Sequence, residues 1–306
     1  MPASKHNDPK INSNTPPHFP FEDPPFRLSM GLLKIPVSDW FEIFDLRERA
    51  FQMSEKRRHL ASQFDDVFIA APSSYPASKE VLGLMLNHLP SFRPDLYSRN
   101  RNTINLNSHS DFKEEVWSTN LKTNEMHPLD LAARLVQEDM IIMLPPDIKK
   151  TSASTGWWLA AGSVAFPSRW SLKEKFGQSM NIIHAPVPFY KKQLQVTVNN
   201  FFNKMPCNEI YARRNWSLYD NSSLRQDGTE QMNERTQNTI TSNNAGERLW
   251  LRVERQTLRK LKETGAILFT IRIHLRISKR MITIYIAVYI CSQHSLGRAQ
   301  VKEQPL

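Results

Sequence analysis

His184 is the residue of this chain whose neighbours best suit it to bind a metal ion or to carry protons. It lies in Ile183-His-Ala-Pro-Val-Pro188, shortly after a segment, Phe166–Gly177, in which a short helix is expected. Pro186 and Pro188 hold the following backbone extended, so His184 cannot readily be part of a helix interior. A rigid turn that presents one imidazole suits an axial ligand or a proton shuttle. The alternative is a histidine that is hydrogen-bonded within a turn and has neither role.

A second group of candidates alternates along a predicted strand, Arg248–Thr257. Its polar face carries Trp250, Arg252, Glu254 and Gln256, and period-two alternation of this length is typical of a strand. This face is either the solvated side of an antiparallel sheet or the wall of a cavity. In a cavity the Glu254 carboxylate needs a cationic partner. A substrate ammonium would serve, and Trp250 could add a cation–π interaction.

His274 and Cys207 are the competing candidates for a metal ligand. His274 lies on a second predicted strand whose polar face could point inward, and Cys207 could ligate a metal as a thiolate. A small buried apolar role is the more usual one for a free cysteine. Since Cys291 is the only other cysteine, a disulfide framework and a four-thiolate site are excluded, and a reducing compartment is favoured.

The composition is that of a folded basic protein. The 306 residues are 40% hydrophobic and 23% charged, which suits one large domain or two modest ones. A formal charge of +10 first suggests nucleic-acid binding, but the basic residues are scattered and form no basic helix. An anionic cofactor or an acidic electron-donor protein would also suit this charge.

Several motifs are missing from the sequence. It has no Gly-rich phosphate loop, no Gly-x-Gly-x-x-Gly turn and no His-Glu-x-x-His. We therefore expect that the chain does not bind NADPH or ATP itself, and that any redox role needs electrons from another polypeptide. The most apolar run, Met281–Cys291, is far shorter than the roughly 20 residues of a spanning helix. We expect no membrane span, no secretory signal and an intracellular, cytoplasmic location.

The hydrophobic pattern predicts both helices and strands. Helices are expected over much of Trp40–Ala70, Ser78–Leu89 and Tyr190–Lys204. Strands are expected at Met140–Leu144, Trp157–Phe166, Ile210–Leu218, Arg248–Thr257 and Ala266–Leu275, the last two as a hairpin. Phe26–Gly31 is expected to be a strand-like entry, and Pro90–Glu125 a loop-rich surface excursion. Residues 1–25, rich in Pro, Asn, Ser and His, are expected to be a disordered leader.

Eight segments together resemble one known family, the haem-dependent oxidative N-demethylases, and the resemblance extends from Phe26 to Ile277. The segments are Arg27–Gly31, Leu135–Asp139, Phe166–Trp170, Glu174–Gly177, Ile183–Pro188, Arg214–Trp216, Glu247–Leu258 and Thr264–Arg272. The resemblance implies an α+β domain at 26–277, with a PAS-like antiparallel β-sheet flanked by helices. It also implies haem b, here bound without covalent links because no Cys-x-x-Cys-His motif is present.

The implied reaction is oxidative removal of a methyl group from a small secondary amine such as dimethylamine, with dioxygen as oxidant and formaldehyde as product. Electrons would come from NADPH through a separate flavin and iron–sulfur reductase. The alternatives are a non-catalytic haem or ligand sensor and an inactive paralogue, because fold alone transfers function weakly.

The resemblance also implies roles for individual residues. His184 would be the axial ligand of the haem iron, and Glu254 would hold the substrate ammonium. Arg252 and Arg272 would pair with carboxylates or haem propionates. Arg213 and Trp216 would contribute packing and propionate contacts.

The sequence departs from the family pattern in three places. Lys262 stands where proline is usual, and Ile273-His274 where Thr-Tyr is usual. Residues 278–306 do not resemble the polar helical end of the family. We expect a divergent tail there, of the kind that a truncated or misread gene end would produce.

Overall fold

The computed structural model describes residues 29–109, 111–123, 125–146, 156–207, 209–226, 240–241 and 244–277. The predicted leader at 1–25 and the predicted divergent tail at 278–306 lie outside the described residues. The fold is α+β, as predicted. A large antiparallel sheet has helices packed on both of its faces.

Seven strands form the large sheet, in the order β1-β8-β9-β10-β6-β7-β2, and every neighbouring pair is antiparallel. Their bounds are β1 Leu33–Ile35, β2 Phe68–Ala70, β6 Asp139–Leu144, β7 Trp158–Ser163, β8 Ile210–Tyr219, β9 Trp250–Lys260 and β10 Ile267–Arg276. The five strands predicted at Met140–Leu144, Trp157–Phe166, Ile210–Leu218, Arg248–Thr257 and Ala266–Leu275 are therefore confirmed, with small shifts of their ends. The strand-like entry expected at Phe26–Gly31 lies partly outside the described residues, and β1 begins at Leu33, after Gly31 with its left-handed φ of 59°.

β9 and β10 form the central hairpin of the sheet. Ten residue pairs join them, from Ile267↔Lys260 to Arg276↔Leu251. The turn closes through Leu261, whose N–H donates to the Ala266 carbonyl, and through Gly265, whose φ of 70° suits glycine. Because a strand alternates between two faces, this register fixes which side chains of β8, β9 and β10 share a face.

Two segments were predicted incorrectly. The excursion from Pro90 to Glu125 contains a second, three-stranded antiparallel sheet made of β3 Tyr97–Arg99, β4 Thr103–Leu106 and β5 Glu115–Ser118. Burial of Tyr97, Ile104 and Leu106 explains why these short polar strands form. The helix predicted at Tyr190–Lys204 is interrupted at Leu194, which gives two helices.

Most of the helices lie in two groups, one on each face of the large sheet. The bounds are α1 Leu46–Ser62, α2 Phe64–Val67, α3 Tyr75–Phe92, α4 Pro128–Arg134, α5 Leu172–Lys175, α6 Met180–Ile183, α7 Tyr190–Gln193, α8 Gln195–Lys204 and α9 Ala245–Arg248. One core joins α1, α3, α4 and the small sheet to one face. The second core joins α5–α8 to the other face.

A buried polar contact fixes the chain where it enters the second core. Asp139, at the start of β6, accepts hydrogen bonds from the backbone N–H groups of Ala165 and Phe166, each at 2.9 Å. Lys56 of α1 lies 3.8 Å from the same carboxylate and also donates to three backbone carbonyls. Burial lowers the pKa of Lys56 to about 8, although the Asp139 charge opposes that shift. This contact positions the segment that carries Phe166 and leads to α5.

Candidate functional site

An open cavity lies between the large sheet and the helices α5–α8. Its cavity volume is about 200 Å³, and the wider space of about 1290 Å³ around it includes open solvent. Most of the lining side chains are apolar: Met30, Leu32, Ile141, Met143, Leu159, Met180, Ile183, Val187, Leu194, Val198, Phe202, Leu258, Phe269 and Ile271. The polar and aromatic lining residues are Ser29, Trp170, Lys175, His184, Tyr190, Arg213, Asn215 and Gln256. Such a mixture of an apolar wall and few polar groups is typical of a cofactor site.

His184 lines this cavity at the C-terminal end of α6. Its Nδ1 lies 2.8 Å from the carbonyl oxygen of Met180, which makes Nδ1 the protonated nitrogen and leaves the lone pair on Nε2. No hydrogen bond joins Nε2 to a residue that the structure describes. Burial lowers the pKa of His184 to about 4, so its imidazole is neutral at physiological pH. A neutral imidazole with one oriented N–H is the form that ligates iron.

The ring of His184 is held by its own segment. It stacks on Tyr190 with 4.9 Å between ring centroids and 17° between planes. The backbone N–H of Val187 donates to the His184 carbonyl at 3.0 Å, and this closes the proline-containing turn. The hydrogen bond and the stacking together fix both the tautomer and the orientation of the imidazole.

Two cations lie in the cavity wall. The Lys175 ammonium is 4.4 Å from the centroid of the Trp170 ring, and burial lowers the Lys175 pKa to about 8, although Glu254 opposes that shift. Arg213 of β8 donates through Nε to Gln256 Oε1 at 2.7 Å. Burial lowers the pKa of the Arg213 guanidinium as well. Both groups stand where they could pair with an anion inside the cavity.

Glu254 and Arg252 are buried on the same face of β9 as Gln256, so the interpretation of this face as solvated is wrong. Arg252 donates to Glu254 Oε1 at 3.2 Å, and Gln256 donates to Glu254 Oε2 at 3.2 Å. Arg252 also donates to the carbonyls of Leu224 at 2.8 Å and Phe166 at 2.7 Å. Neither Glu254 nor Arg252 lines the cavity, and they continue the same face of β9 beyond Gln256.

Arg272 and Trp216 lie on the opposite face of the sheet. The register pairs Arg272 with Arg255 and Trp216 with Val253. Arg255 and Val253 each precede a residue, Gln256 or Glu254, whose side chain lies on the cavity side of the sheet. Arg272 is buried against α1, where its guanidinium donates to Gln52. Trp216 is 66% exposed. The structure therefore brings His184 and Arg213 together at the cavity and does not bring Arg272 or Trp216 there.

The two competing ligands are also placed elsewhere. His274 is on the α1 face of β10, with Nε2 3.2 Å from Glu42. Cys207 is half-buried, and its side chain is not part of the cavity lining. Sequence reasoning did not identify Lys175, Asn215 or Tyr190 as site residues. Lys175 and Asn215 each lie in a family-like segment, Glu174–Gly177 and Arg214–Trp216, which was the available signal, and Tyr190 gave none.

These residues fit haem. A porphyrin needs an extended apolar slot, its iron needs a neutral imidazole nitrogen, and its two propionates need cations. The cavity, His184 and the pair Lys175 and Arg213 supply these three features. The cavity thus has the features that a haem-binding protein needs.

Comparison with known families agrees with this conclusion. The family model described as haem-dependent oxidative N-demethylase, alpha subunit-like, matches residues 31–282. The chain belongs to this family, so the predicted membership is confirmed. The description indicates dependence on haem, and the designation as an alpha subunit implies that further components take part. Among the described residues, no helix has the length and apolar character needed to cross a membrane.

Proposed function

We propose that this protein binds haem b in the cavity with His184 as axial ligand and catalyses oxidative N-demethylation of a small secondary amine such as dimethylamine. The observation that carries this proposal is the neutral, oriented imidazole of His184 in the wall of a large apolar cavity. Family membership supports the class of reaction.

Haem, when bound, would supply the redox-active iron at which dioxygen is used. The overall change is balanced as dimethylamine, dioxygen, two electrons and two protons giving methylamine, formaldehyde and water. A C–N bond is broken, one oxygen atom leaves in formaldehyde and the other leaves in water. We propose that the two electrons come from NADPH through a separate flavin and iron–sulfur reductase.

The chain's own residues would bind and orient the cofactor. His184 presents Nε2, while the Met180 carbonyl keeps the proton on Nδ1. Lys175 and Arg213 would pair with the two propionates, and each charge-assisted hydrogen bond of this kind contributes about 1.5–3 kcal/mol. The apolar lining would exclude water from the reacting amine.

Glu254 would supply the negative charge that attracts the substrate ammonium. It lies directly opposite Asn215 in the β8–β9 register, and Asn215 is a lining residue. An ammonium group hydrogen-bonded to Asn215 would therefore lie one side chain away from the buried carboxylate. Arg252 holds that carboxylate in place and makes no contact with the cavity itself.

The test uses haem-loaded protein, dimethylamine, air, and NADPH with a plant-type ferredoxin and its reductase as the electron supply. We expect amine-dependent changes in the visible spectrum and about one formaldehyde per amine consumed. Glu254→Gln should weaken amine binding, whereas Glu174→Gln, in the exposed part of α5, should not. Haem binding without formaldehyde would favour the alternative, a ligand sensor. Colourless protein would refute both functions.

A further inference from the structure

The segment Ile182–Val196, which carries His184, has one side that faces the cavity and one side that faces solvent. Its inward side chains line the cavity: Ile183, His184, Val187, Tyr190 and Leu194. Its outward side chains include three large apolar ones, Ile182, Phe189 and Val196, which are 52%, 60% and 70% exposed. Single exposed apolar residues are ordinary, but three on one segment of 15 residues indicate a contact surface.

Phe189 has an unusual backbone conformation. Its backbone φ is 64°, in the left-handed region that bulky side chains rarely adopt. The residue is also the N-cap of α7, and its carbonyl accepts hydrogen bonds from the backbone N–H groups of Lys192 and Gln193. The chain thus keeps a 60% exposed phenylalanine on a strained backbone, where asparagine or glycine would relieve the strain. Stability of the isolated fold does not explain this choice.

The charge along this part of the chain has one sign. From residue 175 to residue 208 the chain holds four lysines and no Asp or Glu. Two of the lysines, Lys191 and Lys192, are exposed and lie between Phe189 and Val196 in the chain. A partner that fits this surface must present apolar groups surrounded by carboxylates.

We infer that the outer face of residues 182–196, namely Ile182, Phe189, Lys191, Lys192 and Val196, docks an acidic electron-transfer protein. The donor role of that protein rests on the proposed function. Phe189 precedes Tyr190, whose ring stacks on His184, so a protein docked here lies one layer of side chains from the cavity. Each productive encounter would move one electron from the partner, which is oxidised, to ferric haem iron, which becomes ferrous.

The experiment measures binding of a reduced plant-type ferredoxin, a small acidic iron–sulfur protein, to the full chain by biolayer interferometry. Haem-free and haem-loaded protein are both used, at 50 and 300 mM salt. We expect binding that weakens at least tenfold at the higher salt concentration. The double variant Lys191→Glu/Lys192→Glu should weaken binding at least tenfold at low salt.

One control distinguishes docking from an effect of net charge, and a second distinguishes it from an effect on folding. Lys122→Glu/Lys262→Glu makes the same change in net charge at exposed sites outside the segment, and it should bind within about twofold of the unaltered protein. Phe189→Asn keeps the left-handed backbone, because asparagine tolerates it, but removes the aromatic ring. It should raise the melting temperature and weaken ferredoxin binding at least fivefold.

The proposal is overturned if ferredoxin does not bind at 50 mM salt, if the control pair weakens binding as much as the Lys191/Lys192 pair, or if Phe189→Asn binds normally. These outcomes do not depend on haem. The absorption spectrum of the same samples reports on haem separately, so failure of the proposed function and failure of the docking surface are distinguishable.

Discussion

Replacing Arg252 with methionine is expected to destabilise the protein strongly, because the Arg252 side chain is fully buried and its hydrogen bonds are internal. It donates to Glu254, to the Leu224 carbonyl and to the Phe166 carbonyl. Arg252→Met leaves the Glu254 carboxylate buried without its cation and two carbonyls without a donor. Removing one partner of a buried ion pair costs about 3–5 kcal/mol. This is a large part of the free energy of unfolding of a folded protein, which is roughly 5–15 kcal/mol.

The assay is urea denaturation, monitored by circular dichroism, of the unaltered protein and three variants. Arg252→Met should lose about 3–5 kcal/mol of unfolding free energy. Arg252→Met/Glu254→Leu should recover at least about 1.5 kcal/mol, because an apolar pair replaces the unpaired charge. Arg101→Met, at an exposed position, should change the free energy by less than about 0.5 kcal/mol. A loss below about 1 kcal/mol in Arg252→Met, or a double variant no more stable than it, would refute a structural role for Arg252.

Three further outcomes are expected. Trp216→Ala, on the face opposite the cavity, should leave haem affinity unchanged in a spectroscopic titration and alter stability by less than about 0.5 kcal/mol. Lys175→Met should weaken haem binding roughly 10- to 100-fold in the same titration, since a charged hydrogen bond contributes about 1.5–3 kcal/mol, whereas Lys173→Met should not. Burial would raise the pKa of Glu48, but hydrogen bonds and charges from His274, Arg272 and Arg276 outweigh it and hold the pKa at about 2. Because this folded pKa is below the ordinary value, the stabilisation is present above pH 4.5 and is lost as the pH falls toward 2. The stability advantage over Glu48→Gln should shrink over that range, and a constant difference would contradict this.

The long strands could be predicted because period-two alternation and the apolar residues of a buried sheet face are visible directly in the order of the residues. The His184 turn could be predicted for a similar reason, since Pro186 and Pro188 restrict the backbone locally. Both inferences need only neighbouring residues.

Other parts of the site depend on contacts between distant residues. The sequence analysis expects Arg252 and Arg272 to have the same role, pairing with carboxylates or haem propionates. The β9–β10 register instead puts them on opposite faces of the sheet. Register is set by pairing across the sheet and is not encoded within one strand. Lys175 reaches the cavity wall only because the four-residue helix α5 packs on the sheet. The small sheet was missed because its strands have three or four residues, too short for a periodic pattern. The PAS likeness of the fold stays a prediction.

Titration of the purified protein with hemin tests the central claim most directly. We predict binding of one haem per chain with a sharp Soret band in the unaltered protein. His184→Gly should lose or shift that band while its far-ultraviolet circular dichroism stays the same, and added imidazole should restore it by filling the position of the lost side chain. A His184→Gly protein that binds haem with an unaltered Soret band would contradict the account.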